Sequence, residues 1–142
     1  MAYNGLTFSV PKNLYIIGMM NTADRSLAMI DYALRRRFSF FTMRPAFEND
    51  TFVEYQLSLE NERLDDLIDV VKELNQDIIN DVSLGEGFCI GHSYFCGQTE
   101  STKTWLSEIV EYDLIPMIDE YWFDNKDRAR HWAGRLRGVI ND

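Results

Sequence analysis

The stretch NLYIIGMMNTADRSLAMIDYALRRRFSFF, Asn13 to Phe41, decides how the fold class is read. Asn13 to Met20 is a short apolar run with β-branched and aromatic residues, apolar at successive positions. It predicts a strand covered on both faces. Pro11 and the polar residues before it mark the turn leading in. Ser26 is placed to cap a helix, in which Leu27, Ile30, Ala33 and Leu34 recur at helical spacing. Phe38 to Met43 (FSFFTM) is a second apolar run and a second predicted strand. Strand, short helix, strand is part of an α/β architecture. Two strands do not make a stable sheet alone, so this pattern predicts more of the core ahead of Met1.

Past Pro45 the pattern turns helical. Asp50 is placed to cap a helix over Thr51 to Leu59. Leu64, Leu67, Ile68, Val71, Leu74 and Ile78 form an amphipathic stripe that predicts a long helix at about 61–80. Gly85 to Gly97 (GEGFCIGHSYFCG) reads as a Gly-rich, aromatic loop or short turn structure. Trp105 to Phe123 is helical in pattern, with a kink or break expected at Pro116. Asp124 or Asn125 starts a last helix through Ala129, Trp132, Ala133 and Leu136. The fold class is therefore an α/β piece, residues 1–47, followed by a mostly α-helical domain, residues 48–142.

Charge divides at the same place. Residues 1–47 carry six Lys/Arg and two Asp/Glu, a net +4, whereas residues 48–142 carry eight and 21, a net -13. The basic part could face phosphate. The acidic part either repels nucleic acid or simply solvates helix faces. With 46% hydrophobic and 26% charged residues, the 142-residue chain has the balance of a globular protein. It has no apolar run of the roughly 20 residues a membrane span needs, and its first residues do not read as a signal peptide. Cys89 and Cys96, with His92 between them, are too few for a structural zinc site. They read as free thiols of a cytoplasmic protein, or as one disulfide.

Four stretches could carry chemistry. Asn21, Asp24 and Ser26 follow the first predicted strand, and ligands bind at the carboxyl ends of strands in parallel α/β sheets. An Asn there can orient a water for phosphoanhydride hydrolysis; the same residues also suit turning the chain and capping a helix. Arg35, Arg36 and Arg37 must reach solvent, carboxylates or phosphate. They suit either a finger offered to a neighbour's nucleotide or a basic helix end. His92 and Ser93, embedded among apolar residues, are either a nucleotide-edge contact or a satisfied structural pair. The arginines of the last helix, Arg128, Arg130, Arg135 and Arg137, spread over several faces, which favours a solvated or intersubunit helix over a DNA reader. There is no GxxxxGK[ST] phosphate loop and no apolar strand ending in paired acids. The chain by itself is not expected to hydrolyse a nucleotide, and no metal site is expected in it.

Taken together, NLYIIGMMNTADRSLAMIDYALRRRFSFF, with its MNTADRS signature followed by ALRRRF, and the later IGHSYF and LIPMIDEYWFD, resembles the McrB family of AAA+ GTPases. These are the motor subunits of modification-dependent (type IV) restriction systems, and the resemblance covers nearly the whole chain. It implies that Asn21 is the sensor-1 residue beside the γ-phosphate and that Asp24 helps hold the attacking water or its neighbours. Arg36 and Arg37 would supply the arginine finger, Arg37 foremost, with Arg25 supporting the intersubunit contact. Residues from about 48 onward would be the helical lid. His92 and Ser93 would lie where many AAA+ proteins carry a sensor-2 arginine; the absence of an arginine from GHSYF departs from that pattern. The resemblance further implies GTP (or ATP) with magnesium in the intact protein, none of it bound to this piece alone. It also implies a ring of subunits, a hexamer, a McrC-like nuclease partner, DNA contacted through a domain upstream, and no membrane. A MoxR or dynein-related ATPase acting on proteins, or a non-enzymatic interaction module, would share parts of the pattern.

Overall fold

The computed structural model describes residues 9–21 and 32–141. Neither predicted strand forms there. Asn13–Met20 and Phe38–Met43 have no regular secondary structure, and their apolar side chains face outward: Ile17 is 93% exposed, Met19 98% and Phe41 89%. The composition suits strands, but a strand needs a neighbour's backbone groups and an apolar cover. Among the described residues neither lies against these segments. Between them is α1 (Tyr32–Arg35); the Ser26 cap and the stripe positions Leu27 and Ile30 lie outside the described residues.

The rest is helical. α2 (Asp50–Ser58) is capped by Asn49, one residue earlier than expected, whose side chain accepts from the Thr51 N–H. α3 (Glu62–Asn80) starts at Asn61, whose side chain accepts from Leu64 N–H, and so matches the stripe to within a residue. Two single 3₁₀ turns, Glu86–Phe88 and His92–Phe95, shape the Gly-rich segment. Gly85, with φ of 88°, adopts the positive-φ backbone that glycine favours, five residues past the end of α3 and directly before the first of these turns. α4 (Lys103–Glu108), capped by Thr102, passes through a π-helical stretch (Ile109–Leu114) into α5 (Ile115–Tyr121). Pro116 therefore does not break the helix. It sits at the start of α5, directly after a wider turn, where its missing N–H disturbs the ladder least. Asn125, accepting from the Arg128 N–H at 3.2 Å, starts α6 (Lys126–Asn141).

One apolar core holds these elements together. Leu64, Leu67, Ile68, Val71, Leu74 and Ile78 of α3 are buried against Leu106, Leu114 and Ile118, and against Ala129, Trp132 and Leu136 of α6. Phe47 and Phe52 close one end of it, with Ile90 and Phe95 from the Gly-rich segment. No helix is long and apolar enough to cross a membrane among the described residues.

Candidate functional site

The Gly-rich segment is fixed in place by one residue. Asn75 is the buried polar side chain of α3, and it treats Ile90 as a strand neighbour would. Its Nδ2 donates to the Ile90 carbonyl at 2.9 Å, and its Oδ1 accepts from the Ile90 N–H at 2.7 Å. This satisfies a backbone pair that has left regular structure yet remains buried. It also sets where residues 91–93 emerge.

They emerge into an open cleft of about 390 Å³ between the segment 42–45 and the turns 86–93. Arg44, Glu86, Cys89, His92 and Ser93 line it. Arg44 Nη2 donates to Glu86 Oε1 at 3.2 Å, an exposed pair. His92 is half-buried, and its Nδ1 accepts from the Ala46 N–H at 3.1 Å. That bond places the ring hydrogen on Nε2 in the neutral imidazole. The ring stands edge-on to Phe47 and Phe52, with centroids 6.3 and 5.4 Å away. Ser93 is exposed at the start of the same turn. Burial, reinforced by the nearby Glu86 charge, pushes the Cys89 thiol up, so it stays protonated and is a poor nucleophile near neutral pH. Cys89 and Cys96 are both free thiols.

His92 and Ser93 thus meet at one cleft, and its cation is Arg44, which the sequence analysis did not single out. Arg44 precedes Pro45, at the junction where the composition changes, and that position was the available signal. Asn21 is exposed, as are Arg36 and Arg37 in the turn after α1. Arg35 stacks over the Phe40 ring at 5.5 Å. Asp24 and Arg25 lie outside the described residues. No three His, Cys, Asp or Glu side chains are grouped to hold a metal ion among the described residues.

The arginines of α6 are matched by acids. Arg128 forks onto Asp77, Nε to Oδ2 at 2.9 Å and Nη2 to Oδ1 at 2.6 Å, while its Nη1 reaches Asp81 Oδ2 at 2.6 Å. Trp132 Nε1 donates to Asp77 at 2.7 Å and Trp122 Nε1 to Asp81 at 2.9 Å, and the Arg128 guanidinium lies 4.6 Å over the Trp122 ring. The Arg128 bonds hold the Asp77 carboxyl below its ordinary value. Hydrogen bonds from Ser83 and Trp122 bring that of Asp81 down to about 2. Arg130 pairs with Asp127, Arg135 with Glu73 and Arg137 with Glu111. Arg128 and Arg135 tie α6 to α3 and Arg137 ties it to the π-helical stretch, so α6 does not present a free basic stripe to DNA.

Comparison with known proteins agrees with this architecture. Residues 66–130 match the McrB α-helical lid domain family. The chain is 47% identical over 139 residues to the type IV methyl-directed restriction enzyme EcoKMcrB subunit of Escherichia coli (strain K12), a match covering 92% of this chain and 30% of that protein. The chain thus spans under a third of that relative's length. Coverage of that extent reaches beyond the lid into the N-terminal third, where Asn21 and Arg35–Arg37 lie. The chain belongs to the McrB family, and its residues 66–130 are that family's α-helical lid domain.

Proposed function

We propose that this chain is the lid-bearing part of a McrB-like, GTP-driven subunit of a modification-dependent restriction system. The observation that carries this reading is the 47% identity extending through both the lid and the N-terminal third. The relative's own description as a type IV methyl-directed restriction enzyme subunit supports the biological role. Residues 1–47 would belong to the α/β core of the intact subunit, where neighbouring strands would cover the exposed faces of Asn13–Met20 and Phe38–Met43. Residues 48–142 would be the lid.

In that setting the nucleotide supplies an anhydride bond that water can cleave. Asn21 would orient the water, with Asp24 beside it, and Arg36 and Arg37 would reach a neighbouring subunit's nucleotide, supported by Arg25. Guanidiniums placed where charge develops on phosphate oxygens stabilise the transition state. The cleft's polar groups, the His92 Nε2–H and the Ser93 hydroxyl, fit a donor role at a nucleotide edge. Arg44 is less suited to it, since Glu86 already takes part of its charge. Magnesium would be held by residues outside this chain. The subunits would form a ring, a hexamer, in the cytoplasm, pull DNA bound by a separate domain, and act with a McrC-like nuclease.

The test is nucleotide turnover by the full-length protein with purified partner nuclease. GTP hydrolysis stimulated by the partner, with cleavage of methylated DNA, is the expected result. Hydrolysis confined to ATP, with no effect of methylated DNA or nuclease, would overturn the reading.

A further inference from the structure

The passage of the chain from the arginine-bearing segment into the lid is tied down at alternate residues. Arg44 bonds to Glu86, Ala46 to His92, and Glu48 to Lys72 at 3.0 Å. The outer two ties are exposed ion pairs, a kind that contributes little. The middle one is different. It joins a backbone N–H to a half-buried ring whose orientation is set on two sides by Phe47 and Phe52. The ring's own backbone is held from below, because Asn75 clamps Ile90 two residues earlier. Phe47, next to Ala46, is buried against Phe52 and Phe95, at 5.7 and 6.1 Å. The Ala46 bond therefore lies at the edge of the rigid core, where the chain leaves it.

We propose that His92 is a positioning residue, a latch whose Nδ1 holds the Ala46 amide and so makes residues 44–46 move as one body with the lid. The consequence for function rests on the reading above. With the junction latched, rotation of the lid is passed to the segment carrying Arg36 and Arg37 instead of being absorbed at a loose hinge. A nucleotide-edge contact through Nε2 is compatible with this, because the two ring nitrogens face different partners.

Two substitutions separate the latch from simple packing. His92→Phe keeps a ring against Phe47 and Phe52 and removes the acceptor. His92→Asn gives up most of the ring and places an oxygen near the position of Nδ1. The measurement is NMR on this chain: amide exchange at Ala46 and backbone relaxation over residues 38–48, with no nucleotide present. In His92→Phe the Ala46 amide should exchange about tenfold faster, the scale of one lost hydrogen bond. Residues 44–46 should gain fast motion, while amides of α3 and α6 stay protected. His92→Asn should restore most of the Ala46 protection. Unchanged Ala46 exchange in His92→Phe, no recovery in His92→Asn, or equal loss of protection throughout the lid in both would overturn the latch. None of these outcomes bears on GTP turnover in the full-length protein, so the latch and the proposed function fail separately.

Discussion

Asn75 and Ile90 are joined by two hydrogen bonds, 2.9 and 2.7 Å, that run between a helix side chain and the backbone of a loop fifteen residues on. Neither Ile90 backbone group has a helix or sheet partner, so the side chain stands in for one. Asn75→Ala leaves both groups buried without partners. Each such group costs on the order of 1–3 kcal/mol, and water entering beside the shortened side chain offsets part of that. We expect a loss of about 2–3 kcal/mol in urea unfolding, with an unchanged m-value. Asn75→Asp should be at least as damaging, since a carboxylate cannot donate to the Ile90 carbonyl. A loss below about 0.5 kcal/mol for Asn75→Ala, less than one unpaired group, would show that the loop is held by Ile90 and Phe95 packing alone.

Arg128 joins α6 to the C-terminal end of α3 through Asp77 and Asp81. Its side chain is 28% exposed and that of Asp77 33%, so the pair is partly screened. Arg128→Ala should lower stability by about 1–3 kcal/mol, less than the loss for breaking a fully buried pair. Arg128→Lys should recover little, because an ammonium cannot reproduce the fork or stack on Trp122 as a guanidinium does. A double-mutant cycle with Asp77→Ala checks this. A coupling energy near zero would reduce the pair to a surface contact.

The same carboxylates set the acid limit of the lid. Asp81 falls from 3.8 to about 2 on folding, and Asp77 moves in the same direction. A depressed folded value means that the unfolded chain takes up the proton first. The stabilisation is therefore complete above pH 3.8 and is lost as the pH falls toward about 2. Thermal midpoints should drop across that window. Because Arg128 is the largest cause for Asp77 whereas Ser83 and Trp122 come first for Asp81, Arg128→Ala should flatten the drop only partly. Ser83→Ala should flatten a further part of it, leaving the share that the Trp122 bond and the Ser83 backbone N–H hold. An unaltered slope in both variants would sink this assignment.

The lid was legible where burial repeats along one element. The α3 stripe gave that helix to within a residue, and even Asn75 carries a signal, since it completes the spacing of Ile68, Val71 and Ile78 on the buried face. The Arg128 network was not legible. Its partners lie 51 and 47 residues away, and only packing of α6 on α3 brings them together. Asn49 and Asp50 are adjacent and both are cap-forming types, so local type alone does not choose between them. The two apolar runs have the composition of strands, but pairing is not a property of a segment. Tyr15, Ile17 and Phe41 are β-forming types that have no strand partner among the described residues. For the same reason the placement of Asn21 relative to Arg37 could not be derived from either run.

The arginines are the sharpest point of the proposed function. Arg37→Ala in the full-length protein should lower GTP turnover by about 10³-fold or more, the scale of an arginine finger, while nucleotide binding stays within a few-fold. Arg36→Ala should cost less if Arg37 makes the closer approach. A finger reaching a neighbour acts across an interface, so the variant's own site remains intact for a partner's arginine to complete. Mixing Arg37→Ala with a variant disabled in its phosphate loop should then restore part of the turnover, since mixed interfaces pair an intact site with an intact finger. An Arg37→Ala protein that loses nucleotide binding and is not rescued by mixing would place Arg37 within its own subunit's site. The intersubunit role would then have to pass to Arg36, or be abandoned.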